Sequence, residues 1–169
     1  NKVDFGYTPT PVISHAILTH NKDAKEDKNL CDGIVITPSH NPPVDGGFKY
    51  NPPHGGPADT DVTKIIQERA NAILEDNLAA VKRVSLAEAL KAGTVQRYDY
   101  ITPYVDDLEQ VINMELIAQS GIRIGADAMG GAGMAFWAAI RERYGLNMEI
   151  FSDNLDSTFS FMHCDKDGK

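Results

Sequence analysis

Two cysteines in 169 residues are too few for a disulfide scaffold. Cys31 and Cys164 each sit beside an aspartate, in segments with no other scaffold signal, so they read as free thiols in a reducing compartment, which favours the cytoplasm. No apolar run approaches the ~18 residues a membrane helix needs, and 1–6 lack the basic and apolar regions of a signal peptide. Basic clusters are also missing. Lys22, Lys25 and Lys28 alternate with Asp23, Glu26 and Asp27, which reads as a solvated loop. A net charge of -8 and a pI near 5.0 therefore argue against nucleic acid and anionic membranes as partners. The chain opens without Met into a Pro-rich segment and reads as a piece of something longer.

Enough is present for a folded core, at 42% hydrophobic residues. Thr10-Pro11 followed by Val12, Ile13, Ala16 and Ile17 predicts a helix to about His20. Gly33 to Thr37 is a β-branched run with the pattern of a buried strand. Pro38 to Pro57, rich in proline and glycine, predicts a long ordered loop or hairpin with a short extended piece at Phe48 to Tyr50; such loops are usually functional.

Further on, Val62, Ile65, Ile66, Ala70, Ile73 and Leu74 give an amphipathic helix within 59–77. Ser85-Leu86-Ala87-Glu88 is a capping box opening a short helix that Gly93 closes. Thr94 to Tyr100 alternates like a strand, and Pro103 to Ser120 reads as one helix. Strand, helix and strand at 121–127, 132–144 and 147–151 form a βαβ unit, so the expected class is α/β.

Chemistry concentrates in Thr37-Pro38-Ser39-His40-Asn41-Pro42-Pro43, directly after the predicted strand, where ligands bind in α/β sheets. Ser39 is the candidate nucleophile, His40 a neighbouring acid/base or anion-stabilising group, and Asn41 a donor that tolerates unusual backbone angles. Ten residues on, Gly46-Gly47-Phe48-Lys49-Tyr50 could return Lys49 to Ser39 as a cation beside a phosphate or as a proton acceptor. A proline-rich surface turn with an incidental Ser-His pair is the plainer alternative.

Other features carry less. Gly125 to Gly133 lacks a glycine at Phe136 for a dinucleotide fingerprint and a Lys-Ser/Thr pair at Gly131-Ala132 for a Walker A loop, so close strand-to-helix packing explains its glycines. His15 and His20 read as structural, and His163-Cys164 is too small a set for zinc. Trp137 and Phe136 read as core, while His54 reads either as a surface residue of its turn, the commoner role, or as a side chain that the rigid turn aims toward a substrate cleft. Asp165-Lys166-Asp167-Gly168 lacks the later ligands of a calcium loop.

Thr-x-Ser-His-Asn-Pro followed by Gly-Gly-Phe-Lys resembles the active-site loop of the α-D-phosphohexomutases. Tyr7-Thr8-Pro9-Thr10-Pro11, Pro38, the run Asn51 to Pro57 and the run Asp156 to Met162 look like the bacterial phosphoglucomutase branch, which uses glucose 1,6-bisphosphate. The resemblance implies mixed-sheet domains, with most of a first domain at 1–104 and the front of a second at 105–169. It implies that Ser39 carries a phosphate exchanged with a hexose phosphate, that His40 and Lys49 work beside it with Lys49 as general acid/base, and that Thr37 and Asn41 bind substrate. It also implies Mg²⁺ held by the Ser39 phosphate and by aspartates of an Asp-x-Asp-x-Asp-Arg loop that nothing here matches, so this segment alone is expected to be inactive. A mutase for mannose or glucosamine phosphate, and a catalytically silent relative, are the rival readings. Apolar surface at the edges of the chain is compatible with a homo-oligomer.

Overall fold

A computed structural model describes residues 6–24, 26–39, 41–151 and 154–162. They form two compact units, one from 1–56 with 100–169 and the other from 57–99.

In the first unit, helix α1 (Thr10–Lys22) buries Val12 and Ile17, on opposite sides of its inward surface. Ile17 lies toward a two-stranded antiparallel sheet of β1 (Gly33–Ile36) and β2 (Phe48–Asn51), in which Val35 pairs with Lys49 and Ile36 with Phe48. Val12 joins the main core with Val105, Met114, Phe136, Ile140 and Leu146. These come from α4 (Ile101–Asp107), α5 (Met114–Gln119), α6 (Met134–Tyr144) and the turn after it. Strands β3 (Ile124–Asp127) and β4 (Met148–Phe151) pair in parallel on either side of α6, so the expected βαβ unit is present.

Specific contacts tie α1 to this core. His15 Nε2 lies 2.8 Å from Asp107 Oδ2, its ring meets Tyr104 edge-on at 5.4 Å, and Tyr104 meets Phe136 edge-on at 5.9 Å. The Tyr144 hydroxyl donates to the Val105 carbonyl at 2.6 Å, joining α6 to α4.

Three sequence expectations change. The strand at 33–37 is half-buried rather than buried: α1 covers Val35, while Ile34 and Ile36 on the other face are 61% and 81% exposed. The single helix at 103–120 is broken. A 3₁₀ turn at Leu108–Gln110 ends it, and Asn113 starts α5 by accepting from the Leu116 N–H at 2.9 Å, because a side-chain acceptor at that point competes with helix continuation. The alternating segment 94–100 forms no strand, and among the described residues no strand lies beside it to complete a ladder.

The second unit holds α2 (Thr60–Glu75) and α3 (Leu86–Ala89). The capping box on α3 is formed, with Glu88 N–H donating to Ser85 Oγ at 3.2 Å and Ser85 N–H to Glu88 Oε2 at 3.3 Å. No residue of 57–99 is buried, and Ile65 and Leu74 on the apolar side of α2 are 59% and 62% exposed.

Two glycines are dictated by geometry. Gly130 has φ +73°, and a Cβ there would lie 2.9 Å from the Phe161 ring, so this part of the glycine-rich 125–133 stretch is packed against a later loop rather than between strand and helix. Phe161 belongs to a loop that Asp156 organises by accepting from the N–H and hydroxyl groups of Thr158 and Ser160. Those bonds hold its carboxyl well below the usual carboxylate range. Gly55 has φ +78°, and a Cβ would meet Leu18 Cγ at 2.8 Å and the Ser14 carbonyl at 3.0 Å. Left-handed backbone alone costs an L-residue about 1–2 kcal/mol. Gly55→Ala is therefore expected to lower the thermal midpoint by roughly 4–8 °C once the contact is added; an unchanged midpoint would show that the turn is not held against α1.

Candidate active site

The site is built at the end of the β1–β2 sheet where the loop between the strands leaves and returns. Thr37 N–H donates to the Gly47 carbonyl at 3.1 Å and closes the base of the loop. Asn41 N–H then donates to the Pro38 carbonyl at 3.3 Å, turning the chain around Ser39. Ser39 sits in this turn with φ +66°, a strained setting for a residue with a side chain. The Thr37 hydroxyl supports it by accepting from the Ser39 N–H at 3.0 Å.

Lys49 comes back from β2, and its Nζ lies 3.5 Å from Ser39 Oγ. Both side chains are exposed, so a phosphorylated ligand can reach them from solvent. An ammonium beside a hydroxyl can neutralise a phosphate on that oxygen and can exchange a proton with it. Of the residues expected to act together, the structure thus joins Ser39, Lys49 and Thr37 and holds Asn41 through its backbone. His40 lies outside the described residues. So do His163, Cys164 and the Asp165–Gly168 stretch.

Other polar residues belong elsewhere. Tyr50 OH donates to Asp32 Oδ2 at 2.7 Å at the far end of the strands, and this bond pushes the Tyr50 hydroxyl up in pKa. The His54 ring accepts from the Gly56 N–H within its own exposed turn, and His20 faces the Asn29 carbonyl. Cys31 is a free thiol whose pKa is raised by burial and by Asp32.

Among the described residues no group of three or more His, Cys, Asp or Glu side chains could hold a metal ion. The residues described here do not make a magnesium site, and no chemical step is routed through one. Nor does any helix among them have the length and apolar character to cross a membrane.

Residues 1–77 match the family model for phosphoglucomutase/phosphomannomutase, alpha/beta/alpha domain I. A phosphoglucomutase of Komagataeibacter xylinus is 58% identical over 164 residues, covering 97% of this chain and 29% of the relative. The chain belongs to the phosphohexomutase superfamily. Phosphoglucomutase 1 of Saccharomyces cerevisiae is 35% identical over 123 residues, 66% of this chain and 20% of its own length. Among solved structures, the exocytosis-sensitive phosphoprotein pp63/parafusin of Paramecium, a phosphoglucomutase in its open form, superposes with a TM-score of 0.67. That match has 21% identity over 95% of this chain and 32% of the other, and shows the shared phosphohexomutase fold. The chain spans under a third of the length of these relatives.

Proposed function

We propose that this chain is part of a phosphoglucomutase, interconverting glucose 1-phosphate and glucose 6-phosphate through a phosphoserine at Ser39 and glucose 1,6-bisphosphate. The observation that carries the reading is Lys49 Nζ at 3.5 Å from the oxygen of a serine held in a strained turn. The 58% identity to a phosphoglucomutase supports glucose over mannose or glucosamine phosphate.

As the sugar hydroxyl oxygen bonds to phosphorus, the Oγ–P bond of phosphoserine breaks, Lys49 gives its proton to the departing Oγ, and the sugar hydroxyl's proton passes to water. On return, the Ser39 hydroxyl oxygen bonds to the other phosphorus of the bisphosphate, its proton passes to Lys49, and the sugar oxygen leaves with a proton taken from water. Phosphoryl transfer needs little more from protein than positioning and charge neutralisation, and the Ser39 turn with Lys49 offers both.

His40 is assigned to the same site as an acid/base or anion-stabilising group, with Thr37 and Asn41 as substrate ligands. Mg²⁺ is assigned as cofactor on the strength of the family, with the Ser39 phosphate as one ligand. Domains at 1–104 and 105–169, a cytoplasmic location and a hexose phosphate as the small-molecule partner complete the proposal. In the full-length protein, glucose 1-phosphate should turn over with the highest kcat/KM among glucose, mannose and glucosamine 1-phosphates. A preference for either of the others would replace the glucose assignment.

A further inference from the structure

Asn51 has the only buried polar side chain among the described residues, 3% exposed, and it sits two positions after Lys49 on β2. Burying an amide is unfavourable unless its donors are used. Here one amide group donates in two directions, to Ser14 Oγ on α1 at 3.1 Å and to the Gly55 carbonyl of the following turn at 2.9 Å. Alternation along the strand puts Asn51 and Lys49 on the same face of the sheet, the face that α1 covers at Val35. At the same end, Asn21 of α1 donates to the Cys31 and Pro53 carbonyls and accepts from the Cys31 N–H, each at 2.8 Å. Both strands are therefore fastened to α1 at one end, and Ser39 and Lys49 are carried at the other.

We infer that Asn51, through Ser14, is a positioning residue that fixes how far β2 carries Lys49 toward Ser39. The inference rests on the proposed phosphoryl transfer at Ser39. An apolar residue of similar volume would fill the site but would not set the strand's height against α1, because dispersion contacts are not directional. A misplacement of the order of 1 Å near a reacting group slows a reaction about 10²-fold.

The test uses the full-length protein with glucose 1,6-bisphosphate as phosphoryl donor, following phosphate uptake on Ser39 by rapid quench. Asn51→Asp keeps the shape but removes both donors. Ser14→Ala removes the acceptor on α1 without altering β2, and Ser14→Thr restores a hydroxyl. The expected result is a saturating rate roughly 10- to 100-fold lower in Asn51→Asp, with the half-saturating donor concentration unchanged. Ser14→Ala should lower the rate in the same sense and Ser14→Thr should recover it. A role confined to stability would lower the thermal midpoint and leave the saturating rate of folded protein at the wild-type value, overturning the inference; if Asn51→Asp does not fold, the Ser14 pair decides in the same way. Wild-type protein that takes no phosphate on Ser39 would instead overturn the phosphoryl-transfer reading itself.

Discussion

Replacing Lys49 by methionine slows phosphate uptake on Ser39 by roughly 10²–10⁴-fold, the usual contribution of a positioned acid/base group. Methionine keeps the length of the side chain and removes the charge and the proton. Lys49 is exposed and its neighbours on the strand do not depend on its ammonium, so the unfolding midpoint should move by no more than ~2 °C. Rate and stability then separate cleanly. Uptake at the wild-type rate would remove Lys49 from the chemistry and reduce its 3.5 Å approach to Ser39 to a surface contact. Arginine is not expected to restore the rate, because its guanidinium stays protonated and cannot accept the Ser39 proton.

The largest effect on stability is expected at Phe136, which is 5% exposed and lies in the core that joins α1, α4, α5 and α6. Phe136→Ala should cost about 3–5 kcal/mol, through the lost transfer energy of the ring and the cavity it leaves. The edge-on contact with Tyr104 would be lost as well. In a thermal melt this is a fall of roughly 6–20 °C, a large share of the stability a domain has. Phe136→Leu, which refills much of the space, should lose far less. A loss under ~1 kcal/mol in Phe136→Ala would mean that this residue is not part of a packed core.

Much of the architecture is legible in the sequence where one residue type does one local job. Val12 and Ile17 announce the inward side of α1, and Ser85 with Glu88 announces a helix start that forms as expected. The glycines before Lys49 mark the return of the loop that carries Ser39, and the Thr37–Gly47 hydrogen bond is its physical counterpart. What escapes the sequence depends on neighbours distant along the chain. Ile34 and Ile36 look as core-like as Val35, yet only Val35 has α1 over it. Residues 94–100 alternate correctly for a strand, but pairing requires a second strand that alternation cannot supply. Asn113 carries a signal that could have divided the 103–120 helix, since asparagine before an apolar run is a common N-cap. Asn51 gave no warning. In a proline-rich stretch an asparagine reads as one more turn residue, and its burial follows only from Ser14 and Gly55 arriving on either side of it.

Ser39 as the acceptor of phosphate is the central assignment. The most direct measurement is intact mass and phosphopeptide mapping of this chain, and of the full-length protein, after incubation with glucose 1,6-bisphosphate and Mg²⁺, with Ser39→Ala as control. One added phosphate on the Ser39 peptide of the full-length protein, and none in Ser39→Ala, is the predicted result; phosphate on the isolated chain as well would show that the Ser39 turn and Lys49 suffice for uptake. Phosphate on another residue, or none in the full-length protein, would contradict the account.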